Sequence, residues 1–473
     1  MRRLRPCFLV AAAAVLFVAA LTTSLRASAP GKAVPVPPQA AAGDVGPSRA
    51  SGPSRAQSSD GNYVGPGSCS AVACHGAIRP VPGARILQTE YSTWVSQDRH
   101  ARATEILANA VSQRMGRILG IGNPQQSQKC LLCHALEVPV SVRGRTFASE
   151  GVSCEACHGP GTGWLGYHVT RDAKHDESVK RGMYDTKDVV KRTEKCLTCH
   201  LGTSDKFVDH EMIAAGHPDL VFELEAFSAA MPRHWKETTD NGVDKPDVYK
   251  PVRTFAVGQL VHLRASLDRL AHRVKGPIWP EYAELDCFAC HHSLTRAEDS
   301  WRQAQGYDNR ARPGLPQLQV SRYLTARRVL QAWDPQAAPA LDEVMIKLQI
   351  EASRLSARPD EVVALATQAR GIVDRGLNKA LTSMATPDMA SSMLRGIFAD
   401  APAIAERGER AAEQAAMATE VLTTALAKAR GQDPAAMKGT FTDLFQQFES
   451  PSSYDPRKFT AAMKKAESAI PNR

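Results

Sequence analysis

Five times along this 473-residue chain, a histidine directly follows the second of two closely spaced cysteines. Cys130, Cys133 and His134 share the spacing Cys-x-x-Cys-His with Cys154, Cys157 and His158, with Cys196, Cys199 and His200, and with Cys287, Cys290 and His291. The first occurrence is a variant, with four residues between Cys69 and Cys74 before His75. The pattern suits covalent haem attachment. Two thiols add across the porphyrin vinyl groups as thioethers, and the adjacent imidazole is held under the iron as its proximal ligand. Of the 11 cysteines, Cys7 lies near the N-terminus and the other ten make up the five pairs. Structural zinc is the rival chemistry, because paired Cys-x-x-Cys also builds ribbons, but ribbons do not require a histidine after the second cysteine every time. A disulfide framework is the other alternative for an exported chain. Complete use of ten cysteines in pairs followed by His favours five haem c groups over both.

Low-spin iron needs a second ligand on the opposite face, and the 14 histidines leave nine beyond the proximal five. His100 follows a helical face bearing Tyr91, Trp94 and Val95, and His168 comes ten residues after His158. His210, His217 and His234 lie beside Leu220, Phe222, Leu224 and Phe227, a composition suited to a haem crevice. These five are the candidate distal ligands. His262 and His272 are further candidates on a later helix. His175, among Arg171, Asp172, Lys174, Asp176 and Glu177, reads as a solvated residue, and His292 adjoins the proximal His291 and cannot reach the other face of the same haem. Nine histidines for five irons allow complete ligation without requiring it, so an open iron with acid–base groups over it stays in play.

The elements that must carry these residues read as helices with little strand. Residues 86–119 have a helical pattern ending at Gly120-Ile121-Gly122-Asn123-Pro124, and residues 138–147 are strand-like. Residues 169–195 are charged and expected as a surface loop. Residues 254–274 form an amphipathic helix with Leu260, Leu263, Leu267 and Leu270 on one face. Beyond about residue 300 there is neither Cys nor His, and Leu341, Val344, Met345, Leu348 and Leu355 follow a helical face. Pro359-Asp360 and Pro387-Asp388 mark helix starts, in a bundle of five or six helices. The fold class is therefore mainly α: a multihaem cytochrome c core followed by a C-terminal helical bundle. The boundaries are 1–29 leader, 30–62 linker, 63–300 haem domain and 301–473 bundle. With no ligand in the bundle, its removal is expected to leave the haem sites intact. Its roles are a structural cap or a dimerisation and docking module.

Arg2, Arg3 and Arg5 before the apolar run Cys7–Leu21, with Ala27-Ser28-Ala29 as a small-residue cleavage site, read as an export signal. Pro30 disfavours cleavage there, so membrane association through an uncleaved N-terminus is the alternative. Residues 30–62 are rich in Pro, Ala, Gly and Ser, as a flexible tether is. The formal charge is +9, and loss of Arg2, Arg3, Arg5 and Arg26 with the leader leaves 9 − 4 = +5. About ten haem propionates would bring the holoprotein close to neutral, and nothing here argues for nucleic acid.

The order of motifs resembles the cytochrome c-554 family, multihaem proteins that accept electrons from hydroxylamine oxidoreductase in ammonia oxidisers. Trp94 to Ala101 (WVSQDRHA), Cys154 to Gly161 (CEACHGPG), His168 and the first four sites carry the likeness, over roughly residues 63–235. The resemblance implies a mostly helical fold around closely stacked haems that pass electrons between protein partners. It implies mainly bis-histidine iron, with His100 and His168 at family ligand positions, and a five-coordinate haem at the second site. The four-residue gap in the first site, the fifth site and the bundle depart from the family. The fifth site and GHPDLVFEL look more like larger related multihaem cytochromes. The expected function is a periplasmic electron carrier between redox protein donor and acceptor. The alternatives are a multihaem oxidoreductase acting on a small nitrogen or sulfur compound at one five-coordinate haem, and a scaffold subunit that oligomerises through its bundle.

Overall fold

The computed structural model describes residues 62–145, 147, 149–236, 247–287, 290–291, 317–354, 356–449 and 454–470. The expected leader, nearly all of the linker, and His292 lie outside these residues. The architecture is mainly α, and among the described residues the only β pairings are isolated bridges, Tyr63 with Arg143 and Leu285 with Leu318.

The part that carries the first four motifs is made of short helices. They are α1 (Glu90–Gln97), α2 (Ala110–Ile118), α3 (Gln128–His134), α4 (Cys154–His158), α5 (Leu165–His168), α6 (His175–Lys180), α7 (Val189–His200), α8 (His210–Ala215) and α9 (Leu224–Ala230). Acidic and amide side chains start and stop them. Asn109 accepts from Ser112 N at 2.8 Å, Asp188 from Val190 N at 2.8 Å, Asp209 from Met212 N at 2.7 Å and Glu223 from Ala226 N at 2.7 Å. The helix expected over 86–119 is broken in its middle. The Asp98 carboxylate takes the backbone N–H of His100 at 2.9 Å, which ends α1 and turns the chain through two 3-10 turns before α2. A side chain that bonds its neighbouring backbone competes with helix continuation. The strand-like 138–147 segment, which has no partner strand, forms a 3-10 turn at Val140–Val142. Within 169–195 the chain forms α6 and enters α7 rather than running as a loop.

The rest is a helical bundle: α10 (Lys250–Arg273), α11 (Ser321–Trp333), α12 (Ala337–Ala352), α13 (Pro359–Thr382), α14 (Pro387–Ala405), α15 (Glu409–Ala429), α16 (Lys438–Phe445) and α17 (Pro456–Ala469). Pro359 and Pro387 do open helices, and seven helices rather than five or six follow residue 300 among the described residues. The centre is α10, about 36 Å long at 1.5 Å per residue. It packs against α7, α9, α11, α13 and α15, with Val252, Ala256, Val257, Leu260 and Val261 fully buried. Gly376 on α13 lets that helix close on α11: a Cβ there would stand 2.1 Å from Leu330 Cδ2. The same apolar cluster takes in Leu197, inside the fourth motif on α7, and Leu201 directly after it. Among described residues 62–196, by contrast, the separate apolar cluster is only Leu107, Leu131 and Ala135.

Because α7 leans on α10, and α10 on the later helices, removal of the bundle would strip the support from the fourth motif, contrary to the sequence-based expectation for truncation. Replacing Leu260 by Ala should cost about 2–5 kcal/mol, read as a lower denaturant midpoint by circular dichroism. Ile350→Ala, at a side chain 40% exposed, should stay within about 0.5 kcal/mol. Equal effects from the two would contradict a shared core centred on α10.

Candidate haem sites

Each attachment motif sits on a single turn of backbone. Cys130, Cys133 and His134 end α3, Cys154, Cys157 and His158 make up α4, and Cys196, Cys199 and His200 end α7. One helical turn puts residues i, i+3 and i+4 on one face, so both thiols and the imidazole address the same flat group. The wide-spaced first site reaches the same end differently. Cys69 closes a 3-10 turn, and a second turn brings Cys74 N and His75 N onto Ala71 O at 2.8 and 3.1 Å. At the fifth site, Cys290 N and His291 N both donate to Cys287 O, at 3.1 and 2.7 Å.

The motif histidines do not stand alone. Ring centroids of His75 and His168 are 6.2 Å apart with planes 3° from parallel. His200 and His100 are 6.2 Å apart, His134 and His217 6.3 Å, and His291 and His210 6.5 Å. For His158, His234 is the neighbouring imidazole whose charge bears on it most. Metal–imidazole bonds of about 2.0 Å, plus about 1.1 Å from each nitrogen to its ring centre, separate two trans imidazoles by about 6.2 Å. The spacing therefore fits one metal between each measured pair. Among the described residues no three or more His, Cys, Asp or Glu are grouped to hold an ion. Two trans ligands without a third suit a metal whose equatorial positions come from a macrocycle, as in haem.

Hydrogen bonding on the other ring nitrogen fits the same use. Nδ1 of His75 meets Glu90 Oε2 at 3.0 Å, that of His100 meets Asp98 Oδ1 at 2.9 Å, and that of His134 meets Ala103 O at 2.9 Å. Nδ1 of His168, His217 and His234 faces the carbonyls of Leu165, Pro218 and Pro232, at 2.5, 2.7 and 3.2 Å. A donor bond from Nδ1 fixes the ring and frees Nε2 for metal. Three other histidines differ. His175 spends Nε2 on Asp185 Oδ1 at 2.8 Å instead of being solvated, His262 Nε2 accepts from Arg322 Nε at 2.8 Å inside the bundle, and His272 is exposed. Burial lowers His158 and His200 to about 4, so both are neutral near pH 7, as iron ligands must be. Glu90 and Asp98 hold His75 and His100 above the usual imidazole value.

The sites touch one another in a defined order. The free thiols of Cys69 in the first and Cys154 in the third are within hydrogen-bonding reach, Cys157 of the third lies near Cys196 of the fourth, and the free thiols of Cys199 in the fourth and Cys133 in the second are likewise in reach. His217, facing the second site, and His210, facing the fifth, are carried by α8 and the two residues after it. The order in space is thus first, third, fourth, second, fifth. At the second site, where the resemblance implies five-coordinate iron, His217 stands opposite His134.

Several supporting residues were not singled out from sequence. Glu155, inside the third motif, accepts from Val64 N at 2.9 Å, Gly65 N at 2.7 Å and Gly161 N at 2.6 Å, binding the first and third sites together. Gly151 has φ 53°, and a Cβ there would lie 2.6 Å from His100 O, so a side chain would push away the backbone of a candidate ligand. Position alone gives a signal for Asp98, two residues before His100, but Glu90 lies 15 residues from the ring it orients.

Comparison with known proteins fits this geometry. The sequence model of the family described as cytochrome c554 and c-prime matches residues 69–159, a stretch holding the first three motifs and His100. No curated protein and no solved structure gives a match to the chain. Over residues 69–159 the chain is similar to cytochrome c554, which supports covalent haem of the c type and a part in electron transfer.

Proposed function

We propose that this chain is an exported, periplasmic c-type cytochrome that binds five haem c groups and carries electrons between a donor and an acceptor redox protein. The observation that carries the reading is the facing of motif and second histidines at four sites, His75 with His168, His134 with His217, His200 with His100 and His291 with His210, and by elimination His234 is assigned to His158. When bound, haem supplies a one-electron ferric–ferrous couple, and two imidazoles leave the iron no position for substrate. The chain's part is to anchor ten thioethers, orient six of the imidazoles through Nδ1, and keep the sites in a row. An oxidoreductase acting at a five-coordinate iron needs a motif histidine without an opposing imidazole, and four of the five have one within 6.5 Å.

The row has the first site at one end and the fifth at the other. Around the first site Val72, Ile78, Val81, Ile86 and Val169 are exposed, on the two segments that carry His75 and His168. Arg85 donates to the carbonyls of Thr170 and Arg171, joining those segments, and Arg79 and Arg171 add charge nearby. An apolar patch with a cationic rim suits transient docking of an acidic redox protein. Residues 301–473 serve as a helical support for the haem domain. No helix among the described residues is long and apolar enough to cross a membrane, and export rests on the N-terminal signal.

A pyridine haemochrome assay with intact mass should find five haems per chain, and four in a Cys69→Ala/Cys74→Ala variant. Zinc without haem absorbance would overturn the reading. Replacing His168 by Ala should leave the haem count unchanged and convert one iron from low to high spin. In the Cys69→Ala/Cys74→Ala background it should add no high-spin iron, because His168 faces the first site and not the nearby third. High-spin iron appearing in that background would assign His168 to another site.

A further inference from the structure

Behind the fourth site, three guanidiniums and one carboxylate are buried together where α10 meets α11 and the segment before Cys287. Arg269 donates to Leu201 O, next to the motif histidine His200, at 2.5 Å, and to Glu284 Oε2 at 2.8 Å. Arg273 donates to Glu284 Oε1 at 2.7 Å and lies 3.8 Å over the Phe207 ring, with Nε and one Nη unpartnered. Arg322 donates to His262 Nε2 at 2.8 Å and to Leu220 O at 3.1 Å. Arg273, Arg322 and Glu284 are at most 8% exposed, and the Arg269 side chain is 9% exposed.

The charges do not balance. His262 accepts from Arg322 and is held well below the usual imidazole value, so it is neutral. Burial pushes Arg322 down only to about 9, which leaves it charged at pH 7. Asp209 is paired with Lys129 at 2.9 Å and Asp219 with Arg410, whereas Glu281 accepts the neutral His210 N–H at 3.0 Å and keeps its charge, which acts on Arg273. Glu223, next to Phe222, is raised to about 8 by burial and is mostly protonated. Among the described residues Glu284 is the one carboxylate bonded to this group, through Arg269 and Arg273 and not Arg322, so with the Glu281 charge counted one positive charge remains.

The cluster reaches the fourth site by two short paths. Arg269 bonds the carbonyl that follows His200. Arg322 bonds His262, whose ring is 6.0 Å from Phe222, which in turn lies 5.2 Å from the His200 ring. Resting on the reading of His200 as an iron ligand, we propose that Arg269, Arg273 and Arg322 are positioning residues that raise the reduction potential of the fourth site, making it the electron sink of the row. Buried positive charge favours the iron state that carries one positive charge fewer. One charge at roughly 10 Å, in an effective dielectric near 20, changes the reduction equilibrium by about tenfold.

The test is spectropotentiometry of the full holoprotein, with haem counted in every sample. The fourth-site midpoint is the one lost in Cys196→Ala/Cys199→Ala. Arg322→Gln should lower it by about tenfold in equilibrium constant, about 59 mV for one electron. Arg322→Lys should restore most of it, and Glu284→Gln, which removes the only bonded negative charge, should raise it. Opposite signs for Arg322→Gln and Glu284→Gln separate a charge effect from loose packing, which would move both the same way. Unchanged midpoints, or shifts of one sign, with five haems present would overturn the inference and leave the proposed function standing. Absence of haem at Cys196 and Cys199 in the unsubstituted chain would instead remove the reading on which it rests.

Discussion

A metal held between two imidazoles from distant parts of one chain is a strict constraint, and the first half of this fold is arranged to meet it. Ring centres 6.2 to 6.5 Å apart tolerate little slack, because a shift of half an ångström lengthens a coordination bond beyond use. None of the second histidines faces the motif immediately before it in sequence. His100, after the first motif, faces the fourth, His168, after the third, faces the first, and His217, after the fourth, faces the second. Each pair thus ties two motifs together, and in the proposed holoprotein such pairs would act as crosslinks between segments that share little apolar core of their own.

Crosslinks of this kind need rings that are already aimed. Carboxylates and carbonyls on Nδ1 do that work: Glu90 and Asp98 for His75 and His100, the Ala103, Leu165, Pro218 and Pro232 carbonyls for the others. The break in the helix at Asp98 is part of the same design. A continuous helix would carry His100 on along its axis, whereas the turn directs it to His200. The bundle contributes from the other side, fixing α7 through α10, and brings buried charge close to His200.

Much of this was legible in the residues. Ten cysteines in five pairs, each followed by His, pointed to the candidate attachment turns, and the apolar company of His210, His217 and His234 pointed to histidines that the fold brings, for His210 and His217, against motif histidines. Helix starts at Pro359 and Pro387 followed from local chemistry, since proline fits a first turn. Which histidine faces which motif was not legible, because pairing is a tertiary property and the spacing from His158 to His168 suggested proximity that the fold does not use. The helix break at Asp98 was hidden by a periodic pattern on both sides of it. Glu155, Glu90 and the Arg269–Arg273–Arg322 cluster were invisible for the same reason: their partners are remote in sequence, and charged residues read one at a time look like solvated surface.

The central claim is that all five irons lie between two imidazoles, the second site included. Electron paramagnetic resonance of the fully oxidised protein at neutral pH, integrated against the haem content of the same sample, tests it most directly. The account predicts that essentially all five haems per chain are low spin, with no more than a trace of high-spin signal. A high-spin component amounting to one haem in five, unchanged when His217 is replaced by Ala, would mean that the second site has an open iron, and the reading of the chain as a pure electron carrier would fail.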